Sequence, residues 1–381
     1  MSKLMSQPEP QTPIAARAPR KGAARPMTAA DVPAVARLFL KIFRGVDKPA
    51  GPDLLEYLQT LALGSPSYGE TTGTQIYQQQ DGTIRSALLA VPMRFVVCGN
   101  VVAGRLLGVF MTDQEAAGAA ELILALRPRH VDFGFCDSAS PTSANHLLAI
   151  GGKPLTVQNL EWSRRFRPLG ALAGRLAERF LRGRDPGLVA LARPVDTLLR
   201  RRRGEKNVEE PNGPTVTEMS VPDFLTHAPR LIAHYAVRPL WSEDELSWLV
   251  ALAAQNTRLG AFTIRAVEDR SGAVIGAFVY YAAPGRTAHV LNVLSLPRQE
   301  IAVLEAMFRH LDRAGHVEAR GRAQPALMRG LALQRWLVFR HKAFAMVLTR
   351  TPEVSDAVTR GDVYIGGLAG EDWSRLMHDF H

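Results

Sequence analysis

The sequence predicts a mixed α/β protein of the α+β kind, built as two similar halves. Each half is expected to be a mixed, largely antiparallel twisted sheet flanked by helices. Three observations predict this. Over residues 28–162 the apolar periodicity switches in the order helix, helix, three-strand meander, helix, strand, helix, strand. The same order recurs after residue 214 with little residue identity, which reads as an internal duplication. Between the two stretches the composition changes: residues 163–203 hold twelve Arg against three acids, Glu178, Asp185 and Asp196. A chain of 381 residues exceeds one ordinary core. Four segments are therefore expected: a disordered basic tail over 1–25, a first domain over 26–162, an Arg-rich helical linker over 163–214 and a second domain over 215–381.

In the first half, Thr28 and Asp31 form a capping-box pair, and Pro33 sits where a first helical turn tolerates it. Val35, Leu38, Phe39 and Ile42 then share one helical face. A second helix is predicted over Pro52 to Leu63. Asp81-Gly82 is a tight-turn dipeptide between the strands Gln75–Gln80 and Ile84–Val97, and Pro92 marks a bulge or bend. Gly99-Asn100 turns the chain into a third strand, Val101–Met111. Ala116–Leu126 reads as a helix, Val131–Cys136 as a buried strand, Ser143–Ile150 as a helix stopped by Gly151-Gly152, and Leu155–Trp162 as a last strand.

The second half repeats this with helices over Val221–Ala236 and Ser242–Ala254. Strands follow over Phe262–Glu268, Val274–Ala282 and Ala288–Leu296. The helix Gln299–Ala314, strand His316–Arg320, helix Pro325–Leu333 and strand Phe344–Thr349 complete it. In the linker, Leu169, Leu172, Leu176 and Phe180 fall on one helical face and Arg175, Arg179 and Arg182 on another. Asp185-Pro186 opens a second linker helix.

The net charge of +10 is carried by the tail and this linker, with the rest of the chain slightly acidic. A nucleic-acid-coating domain is not implied, and no nucleic-acid partner is expected. No uncharged apolar run approaches the ~18 residues of a membrane span. The N-terminus lacks a continuous hydrophobic segment, so no secretory signal is expected. Two cysteines, Cys98 and Cys136, fit a reducing compartment rather than a disulfide scaffold or thiolate zinc site. A cytoplasmic location is expected. His378 and His381 are three apart without further ligands, and no metal is expected. The Arg-rich helices of 163–203 offer a weak contact with an anionic membrane, apolar face down. The plainer alternative is a docked linker with a solvated Arg face.

With these elements placed, the chain resembles the GNAT (GCN5-related) acyl-CoA N-acyltransferase family, present twice. MTAADVPAVARLF resembles the family's first helix. DGTIRSALLAVPMRF followed by RLLGVFMTDQEAAGAAELILAL resembles its strand, strand, loop and helix core. ANHLLAIGGKP resembles the terminal helix and small-residue turn. SGAVIGAFVYY and QRWLVFRHKAFAMV take the corresponding places in the second half. The tandem arrangement is similar to proteins associated with bacterial polysaccharide and cell-envelope gene clusters. The resemblance implies an acetyl-CoA or other acyl-CoA co-substrate. It also implies direct attack on the thioester by an amine, or a hydroxyl, of a small-molecule or envelope-sugar acceptor. A catalytically degenerate pair acting as a binding or scaffold protein is the competing reading.

The resemblance further implies a site between two splayed strands, with the diphosphate on backbone amides at a helix start. The cofactor-binding positions it implies are Val109, Phe110, Met111, Gln114, Ala117, Gly118, Ala119, Ala120 and Asn145. The family's Gln/Arg-x-x-Gly-x-Gly/Ala motif falls here on Gln114, Ala117 and Ala119, or in a second register on Ala117, Ala120 and Leu122. An ordinary Ala-rich core helix is the alternative. The family's Tyr that protonates the leaving thiolate is replaced by Leu147. Its strand Glu has no counterpart among Leu106, Leu107, Gly108 and Val109. The nearest carboxylates are Asp113 and Asp137, with Asp137 taken as the catalytic candidate and a turn or cap as its plainer role. The second half lacks a phosphate loop, since Pro297-Arg298-Gln299-Glu300 leads straight into a helix. It is expected to be structural or substrate-binding. Asn292 is its candidate substrate contact, with a satisfied buried Asn as the alternative. Arg320 and Arg322 are an anion-binding pair or an ion-paired one.

Overall fold

The computed structural model describes residues 22–113, 118–125, 127–128, 133–167, 213–283 and 285–380. The first half runs β1 (Gly22–Pro26), α1 (Val32–Arg44), α2 (Pro52–Leu63), β2 (Gln75–Gln79), β3 (Ile84–Val97) and β4 (Asn100–Thr112). Then come α3 (Ala119–Ala125), β5 (Phe133–Ala139), α4 (Pro141–Ala149), β6 (Lys153–Pro154) and β7 (Leu160–Arg165). The second half opens with β8 (Thr215–Glu218), α5 (Val221–Leu231), β9 (Val237–Pro239) and α6 (Glu243–Ala254). It continues with β10 (Ala261–Glu268), β11 (Val274–Ala282), β12 (Thr287–Ser295), α7 (Glu300–Arg313) and β13 (Glu318–Arg322). It closes with α8 (Met328–Ala332), β14 (Leu337–His341), β15 (Phe344–Thr349) and α9 (Pro352–Arg360). None of the described helices is long and apolar enough to cross a membrane.

Local chemistry explains where the elements start and turn. The Thr28–Asp31 capping box forms as expected. Asp31 also holds Arg25 through two hydrogen bonds of 2.7 and 2.8 Å, which lowers its carboxyl to about 2. This pair pins β1 against β2, and Gly22–Arg25 lie inside the segment expected as a disordered tail; residues 1–21 lie outside the described residues. The β3–β4 hairpin turns at Cys98-Gly99 rather than Gly99-Asn100. Val97 pairs with Asn100, and both turn residues take positive φ, the conformation a two-residue turn needs. Pro92 sits in register opposite Arg105, and the bulge lies elsewhere: Leu88 faces Phe110 while Ala90 faces Leu107. One extra residue is thus accommodated at Gly108–Val109 of β4.

Two sheets form. The first has the order β1-β2-β3-β4-β5-β15-β6, with β9 also against β3. The second has the order β14-β7-β13-β12-β11-β10-β8. Each contains one parallel pair, β4–β5 in the first and β12–β13 in the second. The halves exchange their late strands. β7 lies between β13 and β14, and β15 lies between β5 and β6. Of the strand expected over Leu155–Trp162 only the end, from Leu160, is in a strand, β7, which belongs to the second sheet, while β6 of the first sheet ends just before Leu155; the domain boundary drawn after residue 162 falls inside β7.

Packing follows the exchange. Trp162 of β7 is buried in the second half, edge-on to Phe308 at 5.4 Å, and donates Nε1–H to the Arg322 carbonyl at 3.2 Å. Met346 and Leu348 of β15 join Leu88, Leu107, Cys136, Ala139, Ala144 and Leu147 in a small apolar cluster of the first half. The largest apolar cluster spans both halves, from Phe39 and Phe95 to Trp241 and Tyr281, and takes in Leu368 and Trp373. After α9 the chain carries one short turn, Arg375–Met377, as it crosses from the second half to the first.

Candidate functional site

The site is built where the first sheet comes apart. β4 and β5 pair in parallel at Gly104–Phe133, Arg105–Gly134 and Leu106–Phe135, and the ladder stops there. Beyond it lies the β4 bulge at Gly108–Val109, where an unpaired extra residue bends the strand. The gap is a cavity of about 190 Å³. β4 contributes Leu107 to Phe110, β5 contributes Cys136, Ser138 and Ala139, α3 contributes Leu122 and Ile123, and α4 contributes Ser143, His146 and Leu147. Its interior is mostly apolar, with Ser138, Ser140, Ser143 and His146 as hydrogen-bonding groups. Two apolar residues on the wall, Phe43 of α1 and Met377, are 45% and 43% exposed. Burial pushes the Cys136 thiol well up, helped by the charges of Glu371 and Asp137. It stays protonated and is no nucleophile.

The wall also holds Glu371, which arrives from the C-terminal segment. Its carboxyl occupies the space left by the missing side chain of Gly108. A Cβ there would stand 2.6 Å from Glu371 Oε1. The residue is 7% exposed, and its carboxyl makes no hydrogen bond or ion pair among the described residues. Burial lifts its pKa well above the usual carboxylate range, and the neighbouring Asp137 and Asp372 add to the lift.

Behind Glu371 lies a buried charge cluster. Asp137 Oδ1 accepts the Glu371 backbone N–H at 3.0 Å, and Asp137 Oδ2 lies 3.4 Å from Arg322 Nε. Arg322 also pairs with Asp372 at 3.3 Å and donates Nη1–H to the Gln158 carbonyl at 2.8 Å. Lys342 pairs with Asp372 at 2.7 Å. Arg322 and Lys342 hold Asp372 below the usual range. Burial raises Asp137 against the pull of Arg322. Three carboxyls thus share two cations, and Glu371 is the one that makes no ion pair with either. Neighbouring buried carboxyls resist carrying charge together.

The second half has the same divergence with a different outcome. β12 and β13 pair as far as Val290–Gly321. The space beyond is filled by the chain itself. Asn292 Nδ2 donates to Tyr364 Oη at 2.8 Å and to the Gly366 carbonyl at 3.3 Å, and Asn292 Oδ1 accepts Leu368 N–H at 2.8 Å. Gln324 Nε2 donates to the Ile365 carbonyl at 2.6 Å. Gly366 and Gly367 take positive φ, and a side chain on Gly367 would collide with the Leu291 carbonyl and the Asn292 amide. The tight turn and the close approach both require glycine.

The expected site residues separate on this geometry. Val109 and Phe110 line the cavity, whereas Met111 is fully buried in the main core. Gln114 and Ala117 lie outside the described residues, as does most of 163–203. Gly118 has φ of 79°, and its α-carbon lies against the Tyr77 ring, so the missing side chain makes room for that ring. Ala119 and Ala120 begin α3 and are not on the cavity wall, which α3 reaches through Leu122 and Ile123. Asn145 is exposed, and the face of α4 toward the cavity is Ser143, His146 and Leu147, three and four residues apart. Asp137 is fully buried behind the wall and held by Arg322 and a backbone N–H, so it anchors the segment rather than meeting a ligand. Asp113 is paired with Lys41 at 2.8 Å and Arg85 at 3.0 Å. Asn292 has both amide hydrogens committed to the C-terminal segment and none to offer a substrate. Arg320 is paired with Glu318, and Arg322 with Asp137 and Asp372. Sequence reasoning missed Glu371. Its signal was the run Gly366-Gly367-Leu368-Ala369-Gly370 before two acids, a composition built for close backbone contact.

No family model matches the sequence, and no curated protein matches it. Solved structures do. An Enterococcus faecalis protein of unknown function, titled a probable N-acyltransferase, superposes with a TM-score of 0.55 at 11% identity, over 86% of this chain and 72% of that one. A GCN5-related N-acetyltransferase from Anabaena variabilis gives a TM-score of 0.55 at 8% identity, over 88% and 75%. These likenesses show the fold: the chain has two GNAT-like halves, each a mixed sheet flanked by helices.

Proposed function

We propose that this chain transfers an acyl group from an acyl-CoA thioester to an amine of a small-molecule acceptor, by direct attack within the first-half cavity. The observation that carries the reading is the parting of β4 and β5 after Leu106 and Phe135 over a largely apolar cavity of about 190 Å³. An extended thioester arm fits such a gap, which is open between two strands and apolar inside. The two superposed proteins, a probable N-acyltransferase and an N-acetyltransferase, support the same class. Direct attack is favoured over an acyl-enzyme because the cavity's thiol, Cys136, is held protonated. Burying the thioester excludes water and strengthens the polar contacts that Ser138, Ser143 and His146 offer. The second-half cleft is filled by the chain's own C-terminal segment, so the donor is assigned to the first-half cavity.

Calorimetric titration with CoA and acetyl-CoA tests this. Saturable binding is expected, and Ala139→Trp, which fills the cavity, should abolish it while leaving the thermal melt near that of the wild type. No binding by the wild-type protein, or equal binding by the variant, removes the reading.

A further inference from the structure

We propose that Glu371 accepts the proton released when the acceptor nitrogen attacks the thioester held in the cavity. The inference rests on the acyl-transfer reading above and adds the group that moves the proton. Three observations lead to it. Among the described residues lining the cavity, Glu371 is the one carboxylic acid. Its side chain is more than nine-tenths buried and has no hydrogen-bond or ion-pair partner among the described residues. It fills the place that a side chain on β4 would take, since Gly108 leaves 2.6 Å between its would-be Cβ and Glu371 Oε1. A strand position that carries no acid is thus served by an acid from a segment seated in the other half.

The step balances as follows. The lone pair of a neutral amine attacks the thioester carbon, and the N–C bond forms. The nitrogen proton passes to the Glu371 carboxylate. The C–S bond breaks with its electron pair on sulfur, and the thiolate takes the proton back from Glu371 to leave as CoA. Buried carboxylates with raised affinity for protons suit this return trip, because a base works best when its pKa lies near the working pH. The groups facing Glu371 set that affinity: Asp137 and the Cys136 thiol on β5, Asp372 beside it, and Arg322 on β13, with His146 of α4 on the same cavity. Anchoring keeps the carboxyl in place. Asp137 accepts the Glu371 backbone N–H, and a side chain on the preceding Gly370 would collide with the Asp137 carboxylate.

The test compares wild type, Glu371→Gln and Glu371→Asp in the full chain. Acetyl-CoA turnover is followed by thiol release across a set of small primary amines and across pH, and CoA affinity is measured alongside. The expected result for Glu371→Gln is unchanged CoA affinity and KM for acetyl-CoA, with kcat lower by about 100-fold or more and the rising limb of the pH profile gone. Glu371→Asp should keep the limb at a reduced rate, which also guards against reading misfolding as lost chemistry. Wild-type turnover by Glu371→Gln, or a surviving limb, overturns the proposal. So does a wild-type protein that binds CoA yet releases no thiol with any amine, although the cavity reading then stands. Absence of CoA binding removes the acyl-transfer reading itself, and the proposal with it.

Discussion

Between β4 and β5 the first half keeps an open cavity; between β12 and β13 the second half holds residues 364–369 of its own chain. The two places share a topology, a parallel pair that parts after three or four residues. Their fates differ because of what reaches them. Asn292 and Gln324 present polar atoms in the second cleft, and a glycine pair can fold tightly onto them. The first cleft presents Leu107, Val109 and Phe110, and the C-terminal segment lends its wall Glu371 and Met377 without filling it. Filling one of two duplicated clefts converts that half into a platform. The segment that fills it then delivers an acid to the other half. The two sheets are further bound by the exchange of β7 and β15, so neither half is complete alone.

The largest effect comes from testing that last point. Expressed as separate chains 1–190 and 191–381, each part is expected to lack cooperative folding, because each sheet would miss a central strand. Co-expression should restore one complex by gel filtration and circular dichroism. Independent folding of either part would break the account of exchange. Arg322→Met comes next. It leaves Asp137 and Asp372 buried against Lys342 alone, and removing one partner from a buried ion pair costs about 3–5 kcal/mol. Urea denaturation should read a loss of that order. Smaller still is Asn292→Ala, which leaves the buried Leu368 N–H without its acceptor in the filled cleft, while the Gly366 carbonyl keeps the Ala369 N–H. Leaving a buried polar group unsatisfied costs about 1–3 kcal/mol. Asn145→Ala, on the exposed face of α4, should change stability by no more than about 0.5 kcal/mol. Equal effects of the two asparagines would remove the contrast between a filled cleft and an open one.

Element identity was legible because it is local. Ile84–Val97, Val274–Ala282 and Phe344–Thr349 are β-favouring runs bounded by turn residues, and each forms over the residues read from the sequence. Partnership was not legible. The residues of Leu160–Arg165 do not report which sheet the strand joins. The same holds for the site. Val109 and Phe110 were within reach because they lie on the strand that parts from its neighbour. Asn145 was misplaced by a helical phase error of one or two residues against Ser143 and His146. Glu371 lies more than 260 residues beyond Gly108, and nothing in a linear pattern brings them together. Asp137 drew attention as an acid near the right strand, yet its register on β5 turns it away from the cavity and toward Arg322.

The last test isolates the one acid that separates the open cleft from the filled one. In the folded chain the Glu371 pKa lies well above the 4.5 of an exposed glutamate. Between those two values the folded state holds a proton that the unfolded state has lost. Stability then falls as pH rises, by the difference in bound protons. Each unit of elevation is worth about 1.4 kcal/mol. Asp372 works in the opposite sense. Its lowered pKa adds stability above the unfolded value, which is lost on acidification through the folded one. A wild-type curve alone mixes the two, so the measurement is the difference between wild type and Glu371→Gln across pH 4 to 9. Glutamine stays neutral and has no such titration. The difference should be flat below the unfolded pKa and should grow in favour of the variant as pH rises through the folded one. A flat difference over the whole range would mean that Glu371 is charged like a surface acid. Its carboxyl would then not stand unpaired against Gly108, and the contrast between the two clefts would lose its chemical half.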